Sequence, residues 1–232
     1  MKINQWRKLL SFVLLDLTFS LPALAQKNSN LSLSEVNYQF YLTENDLVLE
    51  SRDGYDLIDL KDGERIGEIG RPDLPMKLVH LLLPNYSEVE SLIIINKSYK
   101  TMEGGYLIFP AQPDEKTNGV MEKTWVPLDS EIYHSDSLYP GKLAGIVESG
   151  YLAGNRIVTL ALYPLQYRPR SKELLLYTDL SLQLKLRSSN RASPSSMVKR
   201  RTLQASKIYN EILNEIVDNK SDLPNYAFQT PD

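Results

Sequence analysis

The sequence contains no cysteine in 232 residues. Without a thiol, the chain can supply no thiolate nucleophile, disulfide or cysteine-ligated metal site. It has only two histidines, and it contains neither a Gly-rich phosphate loop nor a Gly-x-Ser-x-Gly turn, so cofactor binding and serine-type hydrolysis have little support. We therefore expect a protein that is not an enzyme, binds no cofactor or metal, and is stabilised by a hydrophobic core.

The sequence also lacks a large excess of charge of either sign. It has 26 Lys and Arg and 29 Asp and Glu, for a net charge of −3. The first 25 residues carry Lys2, Arg7, Lys8 and Asp16, so their removal would leave a net charge of −5. A mildly acidic surface argues against non-specific binding to nucleic acid or to anionic membranes.

The N-terminus has the layout of a secretory signal peptide. Three basic residues precede a mostly apolar stretch at 9–21, and Ala23-Leu24-Ala25 provides a small-residue cleavage signal. The stretch is shorter than the about 20 residues of a membrane-spanning helix. We expect cleavage after Ala25 and a secreted or periplasmic protein without a membrane anchor. Asp16 inside the apolar stretch departs from the signal-peptide pattern. The alternative is an ordinary buried or membrane-surface helix.

Most of the remaining chain has the pattern of short β-strands separated by turns. The predicted strands lie at 36–50 (two strands around a turn at 43–46), 78–83, 89–95, 106–109, 156–162 and 174–186. From Leu180 to Leu186 leucine occupies every second position with polar residues between, which is typical of a half-buried antiparallel strand. Several such strands predict a mainly β protein, an antiparallel β-sandwich or jelly-roll-like domain.

The composition changes after Arg187. Residues 188–196 are polar and flexible in type, and apolar residues from Leu203 to Val217 then recur at helical spacing. We expect a C-terminal amphipathic helix. The predicted organisation is a signal peptide at 1–25, a β domain at 26–187, a linker at 188–201, the helix at 202–219 and a flexible tail at 220–232.

Four short motifs punctuate the β domain. They are Gly-Arg-Pro-Asp-Leu-Pro at 70–75, Tyr-Pro-Gly at 139–141, Gly-Asn-Arg at 154–156 and Tyr-Pro-Leu-Gln-Tyr-Arg-Pro at 163–169. Taken singly, each is a turn that any β protein could contain. Their order, followed by the long alternating strand and the helix, resembles the propeptide of gingipain-like cysteine peptidases (family C25) over roughly residues 65–218.

The resemblance implies a β domain that covers the active site of a peptidase domain, keeps it latent and assists its folding. In this family the propeptide is thought to place a basic side chain in the acidic specificity pocket of an enzyme that cuts after Arg or Lys. The family's catalytic His and Cys have no matching positions in this sequence. The implied partner is a gingipain-like catalytic domain, in the same chain or in another.

The longest irregular stretch lies between Pro110 and Tyr139, and long loops inside compact domains are often functional. It contains Lys116 and Lys123, which are our first candidates for the basic side chain that the resemblance implies. Arg168 and Arg170, which flank Pro169, are the next candidates. The alternative is that these are ordinary solvated surface residues.

Lys199, Arg200 and Arg201 precede the predicted helix and, with Ala25, are the candidate processing sites. The alternative is a basic flank on a connector. A polar cluster at Asp129–Asp136 could bind a cation, but a hydrated loop fits its spacing better. His80 lies within an apolar segment, which favours a structural role.

Two function classes remain open on the sequence. The first is a secreted pro-domain or free-standing inhibitor of a Lys/Arg-specific cysteine peptidase. The second is a secreted β-sandwich module for adhesion or glycan contact that shares only the fold. A degenerate zymogen remnant without a partner is a third possibility. We expect a pro-domain if the coding sequence continues past Asp232 into a peptidase domain.

Overall fold

A computed structural model of the chain describes residues 34–113, 125–152, 154–188 and 202–226. It confirms the predicted antiparallel β-sandwich with a C-terminal helix. The strands are β1 (Glu35–Tyr41), β2 (Leu47–Arg52), β3 (Tyr55–Leu60), β4 (Glu64–Arg65), β5 (Pro75–Leu83), β6 (Ser87–Thr101), β7 (Ala144–Leu152), β8 (Asn155–Leu162), β9 (Leu165–Arg168) and β10 (Glu173–Ser188). The helices are α1 (Ser130–Tyr133), α2 (Leu203–Ile216) and α3 (Leu223–Tyr226).

The first sheet is built around β10. One edge of β10 pairs with β6 along most of its length, and the other edge pairs with β9 near its start and with β1 near its end. The second sheet has the order β4-β5-β8-β7, and β2 and β3 form a separate hairpin. All of these strand pairs are antiparallel, and short turns connect the paired neighbours β2–β3, β7–β8 and β9–β10.

The alternation in β10 has the predicted effect. Its even-numbered leucines from Leu180 to Leu186 are buried, whereas Ser181 and Gln183 are half-buried and Lys185 is exposed. The apolar side chains of β5 and β8 complete the core. These are Val79, Leu81, Leu82, Leu83, Val158, Leu160 and Leu162, each at most 1% exposed. Burying such side chains is the main favourable contribution to folding.

The prediction of a strand at 106–109 is wrong. This segment makes only isolated bridges, of Ile108 with Asp56 and of Pro110 with Pro72. The reason is that its backbone partners lie on three different segments. Asp56 bonds to Leu107 and Phe109, whereas Tyr106 donates to the carbonyl oxygen of Lys172. No single strand runs alongside it, so no ladder forms.

The C-terminal helix α2 begins after Thr202, whose side chain accepts a hydrogen bond from the Ala205 N–H (3.2 Å). Residues 220–226, which the sequence analysis assigns to the tail, form a 3₁₀ turn (Lys220–Asp222) followed by α3. The side chain of Tyr226 is buried. Predicted segments at 1–25 and 189–201 lie outside the described residues.

Candidate functional site

The first candidates, Lys116 and Lys123, lie outside the described residues, but both ends of their loop are described. The chain leaves through Phe109–Gln112 and returns through Trp125–Asp129. Between these two arms passes the segment Gly70–Asp73, which begins the Gly-Arg-Pro-Asp-Leu-Pro motif. We call these three segments together the loop base.

Gln112 joins the two arms through its side chain. The amide nitrogen Nε2 donates to the carbonyl oxygen of Val126 (2.9 Å) and to that of Pro110 (3.0 Å). The amide oxygen Oε1 accepts from the Val126 N–H (2.9 Å). One side chain therefore holds both backbone groups of Val126, fourteen residues further along the chain.

Gly70 connects the same two arms through its backbone. Its N–H donates to the carbonyl oxygen of Ala111 (2.8 Å), and its own carbonyl oxygen accepts from the Asp129 N–H (2.8 Å). Its φ of +78° is a conformation that favours glycine, and a Cβ here would lie 3.3 Å from the Pro127 carbonyl oxygen. The backbone conformation therefore favours glycine, and a Cβ here would also require the Pro127 carbonyl group to shift by a few tenths of an ångström.

The residues that follow Gly70 extend the contact with the outgoing arm. The Ala111 N–H donates to the carbonyl oxygen of Arg71 (2.8 Å), and the Asp73 N–H donates to that of Phe109 (2.8 Å). The Arg71 guanidinium contacts Glu68 and lies 3.9 Å from the Asp129 carboxylate. The motif that contributes to the family resemblance thus forms the central segment of the loop base.

Asp73 fixes this segment to the β2–β3 side of the molecule. Arg65 donates to the Asp73 carboxylate (2.9 Å) and to the Asp59 carboxylate (2.6 Å). Burial nevertheless raises the pKa of the Asp73 carboxyl above its ordinary value, because desolvation outweighs the favourable field of the Arg65 guanidinium.

Aromatic side chains pack together at Trp125, the first residue of the returning arm. Trp125 packs edge-on against Phe109 with ring centroids 5.5 Å apart, and Tyr55 meets Phe109 edge-on at 5.8 Å. The Arg52 guanidinium lies 5.5 Å from the Phe109 ring centroid. Trp125 keeps 46% of its surface exposed, so the group presents an aromatic surface beside the loop.

Arg168 is the last residue of β9, Arg170 lies in the turn between β9 and β10, and both are ion-paired. Arg168 contacts the Glu173 carboxylate across the hairpin. Arg170 pairs with the Asp136 carboxylate (2.9 Å), and its N–H donates to the Ser135 carbonyl oxygen (3.1 Å). The two arginines are therefore two residues apart in the chain, and each forms an ion pair with an acidic side chain.

The Tyr-Pro-Gly and Tyr-Pro-Leu-Gln-Tyr-Arg-Pro motifs meet at Gln166. This side chain is 1% exposed, accepts from the Gly141 N–H (3.0 Å), and donates to the carbonyl oxygens of Lys142 (2.8 Å) and Tyr163 (3.1 Å). Tyr139 and Tyr167 exchange backbone hydrogen bonds beside it. These motifs thus form one structural junction.

The polar cluster at 129–136 has structural partners. Asp129 caps α1 by accepting from the Glu131 N–H (3.0 Å), and a ring nitrogen of His134 lies 2.7 Å from the Ser130 carbonyl oxygen. Within the described ranges, no group of three or more acidic or histidine side chains could hold a metal ion. His80 contacts the Thr159 hydroxyl (3.0 Å), and so has a structural partner.

A second interaction, which the sequence analysis misses, closes the open edge of β5. The Asp218 N–H donates to the His80 carbonyl oxygen (2.8 Å), and its carboxylate accepts from the His80 N–H (2.7 Å). The Asn219 side chain does the same for Leu82, accepting from its N–H (2.7 Å) and donating to its carbonyl oxygen (2.9 Å). We call Val217–Tyr226 the C-terminal strap.

Over the parts of the chain described, no helix combines the length and apolar composition needed to cross a bilayer. The family model Propeptide_C25 matches residues 22–217. A search of curated proteins finds no match.

Two solved structures from Porphyromonas gingivalis share the fold. One is the complex of the RgpB pro- and mature domains, whose matched chain is 19% identical with a TM-score of 0.61, over 81% of this chain and 92% of that chain. The other concerns the zymogenic latency of gingipain K and is 16% identical with a TM-score of 0.57, over 69% of this chain and 91% of that chain. At these identities the similarity is one of fold.

Proposed function

Because the chain belongs to the C25 propeptide family, we propose that it is the pro-domain of a gingipain-like cysteine endopeptidase, or a free-standing homologue, and keeps that peptidase latent. The observation that carries the proposal is the family match over residues 22–217, which covers the whole β-sandwich and α2. A pro-domain acts by binding, which agrees with a chain that has no cysteine to serve as a nucleophile.

Latency would come from a basic side chain of the loop between Gln112 and Val126. Lys116 or Lys123 would enter the carboxylate-lined specificity pocket of the peptidase, where a desolvated cation is a strong anchor. The loop base supports this, because both ends of the loop are fixed to the β-sandwich. We place the lysines before Arg168 and Arg170 because they lie in the longest irregular stretch of the sequence.

The same binding would assist folding of the peptidase by giving its active-site face a template. The chain would be exported by the signal peptide at 1–25 and act in the periplasm or outside the cell. Processing at Lys199, Arg200 or Arg201 by a Lys/Arg-specific peptidase belongs to the same proposal.

The test is inhibition of a gingipain-like catalytic domain by the chain from residue 26 to residue 232, added in trans. Lys116→Ala and Lys123→Ala are compared with the exposed control Lys97→Ala on β6. We expect one loop variant to raise the inhibition constant at least about thirtyfold, as loss of a buried charge partner costs about 2–5 kcal/mol. Lys97→Ala should inhibit like the parent.

Equal inhibition by both loop variants and the parent would contradict the lysine mechanism. Absence of any binding to such a catalytic domain would contradict the pro-domain role itself. That result would favour the β-sandwich binding module, and affinity for surface polymers would then be the property to measure.

A further inference from the structure

We propose that Gln112 is a positioning residue for latency, which fastens the two ends of the loop so that the loop meets the peptidase in one arrangement. The proposal rests on the proposed function, because the loop carries the lysines that the peptidase would bind. Gln112 itself would touch no peptidase atom. It would act by holding Val126 and, through it, the returning arm.

The chemistry of the contact requires an amide side chain. Val126 offers one donor and one acceptor on its backbone, and the Gln112 side chain matches both, as a neighbouring strand would. The second donor hydrogen of Nε2 reaches the Pro110 carbonyl oxygen, so the outgoing arm is fixed by the same group. A carboxylate of the same shape could accept from Val126 but would face two carbonyl oxygens.

The position of Gln112 indicates a local role rather than one in the core. It is half-buried and belongs to neither sheet, unlike the adjacent Ala111, which is 2% exposed and bonded to Gly70 and Arg71. Among the described residues, its hydrogen bonds with Val126 join the two arms beside the loop, next to the ring contact of Phe109 with Trp125. Removal of this side chain should therefore loosen the loop while leaving the sandwich intact.

A loosened loop binds more weakly in proportion to the fraction of molecules that keep the binding arrangement. We expect Gln112→Ala to raise the inhibition constant about tenfold, which corresponds to a tenfold fall in that fraction. Gln112→Glu, which keeps the size of the side chain but loses both donor contacts, should lose at least as much inhibition.

The chain offers a matched control in Gln166. Its side chain also accepts one backbone N–H and donates to two carbonyl oxygens, but at the junction of the motifs at 139–141 and 163–169, and none of these three partners belongs to the loop base. Gln166→Ala should lower the melting temperature, yet its folded fraction should inhibit like the parent. Gln183→Ala, on the half-buried side of β10, is the control that stays folded if Gln166→Ala does not.

The experiment measures two quantities for each variant in the chain from residue 26 to residue 232. The first is the inhibition constant against a gingipain-like catalytic domain. The second is the rate of hydrogen exchange at the Val126 amide. This measurement needs no peptidase and reports directly on the hydrogen bonds between Gln112 and Val126. We expect both Gln112 variants to exchange Val126 at least about tenfold faster and to inhibit more weakly, with Val158 in the core unchanged.

Wild-type inhibition by Gln112→Ala or Gln112→Glu, while a lysine variant is impaired, would overturn the positioning role and leave the proposed function standing. An equal loss of inhibition in Gln183→Ala would also overturn it. If neither lysine variant is impaired, the lysine mechanism fails and the positioning role fails with it, and accelerated Val126 exchange would then show a Gln112–Val126 contact without a role in latency. Absence of any binding to the catalytic domain would instead contradict the pro-domain role.

Discussion

Two buried tyrosine hydroxyls bind the backbone of the segment that leads into the outgoing arm of the loop base. Tyr133 donates to the Ile108 carbonyl oxygen (2.7 Å), and Tyr167 donates to that of Tyr106 (2.7 Å). Burial raises the pKa of Tyr133 far above its ordinary value and that of Tyr167 to about 12. Both phenols therefore remain neutral donors to irregular backbone that no strand satisfies, up to strongly alkaline pH.

This arrangement predicts an alkaline loss of stability. The folded-state pKa of Tyr167 is raised, so between its unfolded value of 10.0 and about 12 the folded state binds more protons than the unfolded state. Its contribution is complete below pH 10 and is lost as pH rises towards 12, by about 2–3 kcal/mol for this group. Urea unfolding at pH 8, 10 and 11 measures the slope.

Tyr167→Phe is the matching variant. It should lower stability by about 1 kcal/mol at pH 8 through the lost hydrogen bond. It should also flatten the decline between pH 10 and 11 compared with the parent. A decline of the same slope in Tyr167→Phe would contradict the assignment to this phenol.

At the scale of elements, the C-terminal strap completes the sheet without being a strand. β4 pairs only with the first two residues of β5, so the rest of that edge has no partner strand among the described residues. There the side chains of Asp218 and Asn219 form hydrogen bonds with the backbone groups of His80 and Leu82. An unpaired strand edge is a template for association with other chains. The strap therefore both fastens the C-terminal segment and covers this edge.

Asn219 is the stronger test of the strap, because it is 6% exposed and bonds both backbone groups of Leu82. Asn219→Ala leaves two buried backbone groups without partners, so we expect the free energy of unfolding to fall by about 2–4 kcal/mol. Chemical denaturation measures the change, and exchange of the Leu82 amide should quicken. The exposed Asn37→Ala is the control.

A loss smaller than about 0.5 kcal/mol in Asn219→Ala would mean that water or a local shift replaces the side chain. The strap would then be loosely held, and its role in covering the β5 edge would fall.

The sequence is sufficient to predict elements with a regular period. The leucine alternation predicts the buried face of β10, because burial selects residues at the period of the backbone. The helical spacing predicts α2, although Ile208 and Ile216 on it remain exposed. Side chains that hydrogen-bond to the backbone of distant residues follow no sequence period. Nothing in Pro110-Ala-Gln-Pro113 distinguishes Gln112 from an ordinary loop residue, and Asn219 has the appearance of a helix stop. Their roles depend on which distant backbone lies beside them.

At the scale of the whole molecule, the proposed signal peptide makes a prediction about the mature N-terminus. Protein recovered outside the cytoplasm should begin at Gln26, because cleavage needs small residues at positions 23 and 25. Ala25→Leu should block cleavage, whereas the small replacement Ala25→Ser should not. N-terminal sequencing of the exported protein distinguishes these outcomes. An intact Met1 in exported parent protein would refute the signal peptide.

The strap also determines where the chain leaves the sandwich. Tyr226 is buried and its carbonyl oxygen lies 3.5 Å from the Asn85 amide, so the chain beyond Tyr226 starts from a fixed point. A domain joined to Tyr226 through a short flexible linker would experience a local pro-domain concentration of about a millimolar. While the two domains are joined, a dissociation constant well below a millimolar would suffice to keep the fused domain occupied. After cleavage of the linker, occupancy would depend on the dissociation constant and on the concentrations of the separate domains.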